Sequence, residues 1–256
     1  MYYLIQSNIY FDPEHFMVFE VLEDLGLAYE TIELQPDATS IEIESDRKDV
    51  FIYGSVKLAR LAKANTDWNP GSFYGGNHNF EVISKHYSNH LLNANAQVFE
   101  FEQNVEWKKG ESKFIKPYQD AKVFTGKVFT ELKWNDFVHE ALTNPKTDRL
   151  NSQTLVQAST PQKLYKEARL WIVGEQVVGS IYYQFHGDVP FQSTVEEEGI
   201  EFAKDMIAIF NVADAFVMDI GLCNDGWKIV EVNCINSAGL YNLNVRTLFR
   251  ALEAFF

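Results

Sequence analysis

The chain has 256 residues, of which 46% are hydrophobic, 14% aromatic and 23% charged. That is enough apolar material for one large domain or two to three small ones, and far from a disordered or collagen-like balance. Its 22 Lys and Arg against 36 Asp and Glu give a net charge of −14, which argues against non-specific binding to nucleic acid or anionic lipid. No apolar run approaches the roughly 20 residues that span a bilayer, and residues 1–15 lack the features of a signal peptide. The two cysteines, Cys223 and Cys234, are too few for a disulfide framework and lack zinc-ligand spacing. A cytoplasmic location is expected.

The opening segment reads as strand, helix, strand. An apolar stretch at residues 2–5 leads to Asp12, Pro13 and Glu14, which suit a helix cap, a first turn and the positive end of a helix dipole. Phe16, Val18, Phe19, Val21 and Leu22 supply the helix's apolar face, Gly26 stops it, and residues 29–34 alternate as a strand. Residues 49–53 read as a buried strand that turns at Gly54 and Ser55 into a helix with Val56, Ala59, Leu61 and Ala62. That turn is read as a plain strand-to-helix connection ahead of a ligand loop. Residues 68–79, rich in Asn, Gly and Pro, form a loop whose Trp68, Phe73 and Tyr74 can border a cleft. Beyond a boundary at 108–111, residues 114–117 and 122–132 make a hairpin-like pair, and 154–157, 168–173 and 176–183 are further strands. A helix follows, capped by Ser193 or Thr194 with Glu196 or Glu197, and striped by Phe202, Met206, Ile209 and Phe210.

The chemistry concentrates near the end. Residues 215–221 and 226–233 are two strands joined by Asn224, Asp225 and Gly226, a strong hairpin signal. A register symmetric about Asp225 sets Asp219 opposite Glu231, and strand period adds Asn233 to the same face. Carboxylate and amide oxygens are the ligands that Mg²⁺ uses, alongside nucleotide phosphates. Either acid alone reads as part of a solvated sheet face. Together, with no basic residue alternating among them, they require something positive between them. Upstream, Lys116 and Arg169 sit in apolar strands from which each can offer a fixed charge to phosphate, or lie on the surface with an apolar stem. Lys122, Thr125, Gly126 and Lys127 form a polar turn able to cover phosphates. Neither GxxxxGK[ST] nor GxGxxG occurs, so a nucleotide site here is of another kind.

The order FIKP (114–117), a strand ending at 155–157, EARLWIVGEQVVGS (167–180), a helix, VMDIG (217–221) and WKIVEVN (227–233) resembles the ATP-grasp superfamily. Ribosomal-protein glutamate ligases and glutathione synthetases are the nearest familiar pattern, over the last two thirds of the chain. The resemblance implies an α/β and α+β fold: an N-terminal α/β domain over residues 1–95, a central lid subdomain over 96–160 and a C-terminal subdomain over 161–256, with ATP clasped by the two α+β subdomains. It implies that Lys116 contacts phosphate, that Val156 and Gln157 meet adenine partly through backbone, and that Glu167 faces the ribose. Arg169 then stabilises the transferring phosphate, and Asp219, Glu231 and Asn233 hold one or two Mg²⁺ ions. Members mostly phosphorylate a carboxylate to an acyl phosphate that an amine attacks, giving an amide and ADP. A small-molecule, peptide or protein carboxylate and amine would be the partners, and a homodimer is among the states this allows. A phosphotransferase on the same fold, and a nucleotide-binding or partner-binding protein without catalysis, are the alternatives.

The chain departs from the family in three places. The glycine-rich mobile loop is reduced to residues 118–126, Gln157 stands where an acid is common, and a Gly-rich, Asn-containing stretch is missing between 182 and 198. On the acceptor side, Ser237 and Gly239 lie in a small-residue loop before a terminal helix striped by Val245, Leu248, Phe249, Leu252, Phe255 and Phe256, a helix start suited to an anion. Arg246, in its first turn, is open to a carboxylate substrate or an ordinary surface pairing. Cys234 reads as a small buried residue, Tyr241 as core or ligand-stacking, and His86 and His90 as a helix-face pair lacking a third ligand.

Overall fold

A computed structural model describes residues 1–9, 13–118, 123–144, 150–185 and 194–256. The chain divides into two compact units, one made of residues 1–87 and 164–256, the other of residues 88–163.

In the first unit, β1 (Tyr2–Gln6), β2 (Ala28–Ile32) and β3 (Val50–Tyr53) form a parallel sheet in the order β2-β1-β3. Between the first two strands runs α1 (Phe16–Leu25), which Gly26 ends in the left-handed conformation, φ +66°. A turn of 3₁₀ helix at Pro13–His15 precedes α1, and Asp12 lies outside the described residues. Ser55 caps α2 (Val56–Ala62) by accepting from the Leu58 N–H, so the Gly54-Ser55 turn has a structural use. The loop reading of residues 68–79 gives way to α3 (Phe80–Tyr87), a helix not expected from the sequence.

An antiparallel sheet completes this unit: β8 (Lys166–Val173), β9 (Gln176–Phe185), β10 (Ala215–Cys223) and β11 (Gly226–Cys234), in the order β11-β10-β8-β9. Beside it, α5 (Glu197–Ile209) packs on β9 and β10, and α6 (Val245–Phe255) packs on β8 and β9. Glu196 takes the N-cap of α5 without a side-chain bond, so the expected capping box is not formed there, and Ser193 is outside the described residues. The buried face of α5 is Gly199, Ala203, Met206 and Ile207, whereas Ile209, expected in the stripe, is half exposed. On α6 the stripe runs as expected through Leu252, but Phe255 and Phe256 are exposed.

One core joins the early and late segments. Tyr3, Ile5 and Phe51 pack with Trp171, Val217, Leu248 and Phe249, and the Tyr3 hydroxyl donates to Glu253 Oε1 at 2.7 Å. Asn236, fully buried in the 3₁₀ turn Ile235–Ser237, ties the two sheets. Its Nδ2 donates to the carbonyls of Ile52 (2.8 Å) and Gly71 (3.3 Å), and its Oδ1 accepts from the Phe73 N–H (2.8 Å). Its own carbonyl accepts from the Gly54 N–H at 2.8 Å.

The second unit is an antiparallel sheet of β4 (Gln97–Glu100), β5 (Ser112–Pro117), β6 (Lys127–Thr130) and β7 (Leu155–Ser159), in the order β4-β7-β5-β6. The expected hairpin of β5 and β6 forms, but the β character assigned to residues 122–132 ends at Thr130, where α4 (Glu131–Thr143) starts. Trp134, Phe137, Val138, Ala141 and Leu142 recur at helical spacing and cover one sheet face, with Phe99, Phe101, Ile115, Phe129 and Val156.

Asn236→Ala strands two carbonyls and an N–H in a water-free place, so it is expected to lower stability by about 3 kcal/mol in urea unfolding. A loss below about 1 kcal/mol would show that the tie is incidental.

Candidate active site

The β10–β11 hairpin closes on Cys223 and Gly226, with Asn224 and Asp225 between them. This turn is one residue shorter than the symmetry about Asp225 implies, and it pairs Ile220 with Ile229. A bulge between Asp219 and Ile220 then restores Asp219 opposite Glu231 and Met218 opposite Val232. The expected pairing is therefore reached by a two-residue turn plus a bulge, and Val230 is the residue left over. Gly226 adopts φ +91°, which glycine tolerates at the turn exit.

On the other side of β10, Arg169 of β8 pairs in register with Asp219. Arg169 donates from Nε to Asp219 Oδ1 at 2.8 Å and from Nη2 to Oδ2 at 2.7 Å, a bidentate ion pair whose members are 7% and 1% exposed. The Arg169 Nη1 reaches the Gly239 carbonyl at 3.3 Å, and the guanidinium carbon lies 4.5 Å from the Tyr241 ring centre and 5.9 Å from that of Tyr183. A guanidinium has five N–H groups; one on Nη1 and one on Nη2 are left without a partner among the described residues. Asn233 Nδ2 donates to Asp219 Oδ2 at 3.2 Å and Glu231 Oε1 at 3.0 Å. Glu167, two residues before Arg169 on the same face, accepts from the Tyr183 hydroxyl at 3.0 Å.

The electrostatics follow from burial. Desolvation raises the Asp219 carboxyl to about 6 against the pull of Arg169, and Glu231 pushes the same way. Burial works against the charged Arg169, but Asp219 more than compensates and holds the guanidinium pKa above its ordinary value. Glu167 is raised first by burial and then by Glu231, with the Tyr183 bond opposing. Burial, then Asp219, Glu167 and Glu231, raise the Tyr183 hydroxyl well above its usual value.

The positive partner that the opposed carboxylates require is thus present in the protein, as Arg169 on the neighbouring strand. Yet Glu167, Asp219 and Glu231 against one guanidinium still leave two negative charges when all are ionised. Among the described residues no three Asp, Glu, His or Cys side chains cluster closely enough to hold a metal. The donor set here is two carboxylates and an amide, and it fits a hard cation. Turning the Asn233 amide over sets its oxygen beside both acids, where a cation would replace the amide's hydrogen bonds.

The other expected site residues distribute as follows. Gly239 meets Arg169 through its carbonyl, and Ser237 lies in the 3₁₀ turn after β11. Arg246 pairs with Asp24 of α1, both partly exposed, which is the surface pairing open to it from the sequence. In the unit of residues 88–163, Lys116 and Gln157 are register partners on the sheet face away from α4. Val98, Val128 and Leu155 share that face and are 44%, 52% and 42% exposed. Gln157 is buried, its Oε1 accepting from Asn93 Nδ2 at 2.6 Å, whereas the Val156 side chain belongs to the core on the opposite face. A Cβ at Gly126 would stand 2.7 Å from Lys116 Cβ, so only glycine lets this turn lie against the lysine. Thr125 is exposed, and Lys122 is outside the described residues.

Sequence reasoning missed Tyr183, Asn93 and Asn236. Tyr183 had a faint signal, since it alternates with Ile181 on β9, but a bulge near Glu167 decides which residue faces that acid. Removing the charge that Asp219 depends on is costly. Arg169→Met is expected to destabilise the protein by about 3 kcal/mol in urea unfolding at pH 7, and a loss under about 1 kcal/mol would mean that the pair is dispensable.

Comparison with known proteins agrees with this geometry. No curated protein sequence matches the chain. The structure of a D-alanine–D-alanine ligase from Bacillus anthracis complexed with ATP aligns over 100% of this chain and 96% of its own, at TM-score 0.65 and 10% identity. A RimK domain ATP-grasp protein from Sphaerobacter thermophilus aligns over 93% and 92%, at TM-score 0.61 and 13% identity. The ATP-grasp ligase PsnB, complexed with minimal precursor, Mg and ADP, aligns over 99% and 97%, at TM-score 0.57 and 12% identity. At these identities the likeness establishes the fold, an ATP-grasp fold of mixed helices and sheets. The model of an ATP-grasp domain family, the third of its clade, matches residues 60–252, well over half of the chain and all of the carboxylate face, and the protein therefore belongs to that ATP-grasp family.

Proposed function

We propose that this protein is an ATP-dependent ligase that joins a carboxylate to an amine through an acyl phosphate, releasing ADP and phosphate. Its substrate class is an amino acid, peptide or protein. The observation that carries the proposal is the convergence of Asp219, Glu231 and Asn233 beside Arg169 on one sheet face. Supporting it are similar folds solved as ligases, one with ATP and another with Mg and ADP.

The residue roles follow from charge and placement. Asp219, Glu231 and Asn233 would hold Mg²⁺, which neutralises phosphate charge when bound. Arg169, anchored by Asp219 and Gly239, directs its remaining N–H groups at the transferring phosphate. Glu167 is assigned to the ribose. In the unit of residues 88–163, Lys116 and the turn with Lys122, Thr125 and Gly126 are assigned to phosphate. There the Val156–Gln157 backbone and the apolar Val98 and Leu155 are assigned to the base. Ser237, Gly239 and Arg246 are assigned to the acceptor side. Positioning and charge neutralisation supply the catalysis, so no nucleophilic Ser or Cys is required.

In the reaction a carboxylate oxygen attacks the terminal phosphorus and ADP leaves. The amine then attacks the acyl carbon, the carbon–oxygen bond to phosphate breaks, and the amine proton passes to solvent. One oxygen of the released phosphate therefore comes from the carboxylate. With a panel of ¹⁸O-carboxyl amino acids and short peptides, amines and Mg-ATP, the accepted substrate should give phosphate carrying one ¹⁸O for each amide formed. A stable phosphorylated acceptor without amide would identify a phosphotransferase. Absence of ADP release across the panel would favour a nucleotide-binding protein without turnover.

A further inference from the structure

Leu240 and Leu243 close a turn, the Leu243 N–H donating to the Leu240 carbonyl at 2.9 Å. Its two central residues, Tyr241 and Asn242, have φ of +47° and +60°, the sign pattern of a type I′ turn. Asn suits such a position; a bulky aromatic at φ +47° does not, because its Cβ crowds the backbone. The surroundings nonetheless hold it there. Leu240 and Leu243 are buried, Leu243 fills the space over Gly179, and Asn244 caps α6 by accepting from the Thr247 N–H. On the other side, the Tyr53 hydroxyl fixes the Ala238 carbonyl at 2.7 Å.

The Tyr241 ring is set under the Arg169 guanidinium at 4.5 Å and stacks on Tyr183 at 5.6 Å and 25°. Asp219 fixes one edge of that guanidinium and the Gly239 carbonyl one Nη1 hydrogen. A planar cation bonded along an edge can still swing about that edge, and an aromatic face beneath it removes this freedom. Gly239 permits the arrangement, since a Cβ there would press on the Tyr241 ring at 3.4 Å.

We propose that Tyr241 is a positioning residue for phosphoryl transfer: its ring, held in a strained turn, fixes the plane of Arg169 so that the free Nη1 and Nη2 hydrogens meet the terminal phosphate of ATP. The inference rests on the assignment of Arg169 to that phosphate. Tyr241 touches no substrate in this account and acts through the guanidinium alone.

The test is calorimetric binding of Mg-ATP and Mg-ADP to wild type, Tyr241→Asn, Tyr241→Gly and Tyr241→Phe, with the melting temperature of each. Asn and glycine accept positive φ, so both variants should fold, with melting temperatures within about 2 °C of wild type. In both, ATP affinity should fall about tenfold while ADP affinity stays within about twofold. Tyr241→Phe, which returns the ring, should restore the wild-type ratio of ATP to ADP affinity. An unchanged ratio in the Asn and Gly variants overturns the inference. So does an equal loss of both nucleotides with a large drop in melting temperature, which marks a packing role. Wild type that binds ATP no more tightly than ADP defeats the inference while leaving a nucleotide site intact. Wild type that binds neither nucleotide removes the ATP reading itself.

Discussion

A carboxylate that keeps 1% of its surface cannot stay ionised unless charge and hydrogen bonds replace the water it lost, and around Asp219 that replacement is a guanidinium bonded to both oxygens. The pair exists because β8 and β10 run antiparallel with Arg169 and Asp219 in register. The bulge in β10–β11 adds Glu231 to the same row, and Asn233 bridges the two acids. Each device supports the others. Shifting any strand by one residue would turn its polar set to the α5 side, where Leu170, Met218 and Ile220 are fully buried.

The same dependence runs outward into the first 87 residues. Arg169 leans on the Gly239 carbonyl, in a loop that leaves the hairpin through Asn236, and Asn236 is bonded to β3 and to the segment at Gly71 and Phe73. The Tyr53 hydroxyl holds the next stretch at Ala238. The N-terminal sheet is thereby part of the frame that aims the guanidinium, besides sharing a core with α6. This is why the segments before 88 and after 163 form one compact unit although 76 residues separate them in the chain.

Much of this was legible where a single residue type answers a single local demand. Gly26 at the end of α1, Ser55 at the start of α2, and Asp219 with Glu231 and Asn233 on one face are of that kind. What escaped depends on partners far along the chain. Arg169 read as a cation free for phosphate because its registration against Asp219 is set fifty residues away by strand pairing. The hairpin's two-residue turn and bulge cancel in the pairing of Asp219, so sequence symmetry reached the right pair through the wrong loop. Helix α4 was within reach: Trp134, Phe137, Val138, Ala141 and Leu142 have helical spacing, but the β-branched and aromatic residues just before them carried the strand assignment too far. Asn236 gave no sign, since a buried amide that ties two sheets looks like any loop Asn.

The central claim is that the carboxylate face is completed by a divalent cation carrying nucleotide. It is tested most directly by thermal unfolding of wild type and Glu231→Gln with ATP, in the presence and absence of Mg²⁺. A ligand at about 100 times its Kd adds roughly 2.7 kcal/mol to the folded state, or about 5 °C or more for a protein of this size. The account predicts that Mg²⁺ adds this stabilisation in wild type, and that in Glu231→Gln the Mg²⁺-dependent part disappears while any effect of ATP alone remains. An equal Mg²⁺-dependent rise in both proteins, or none in wild type, would contradict it.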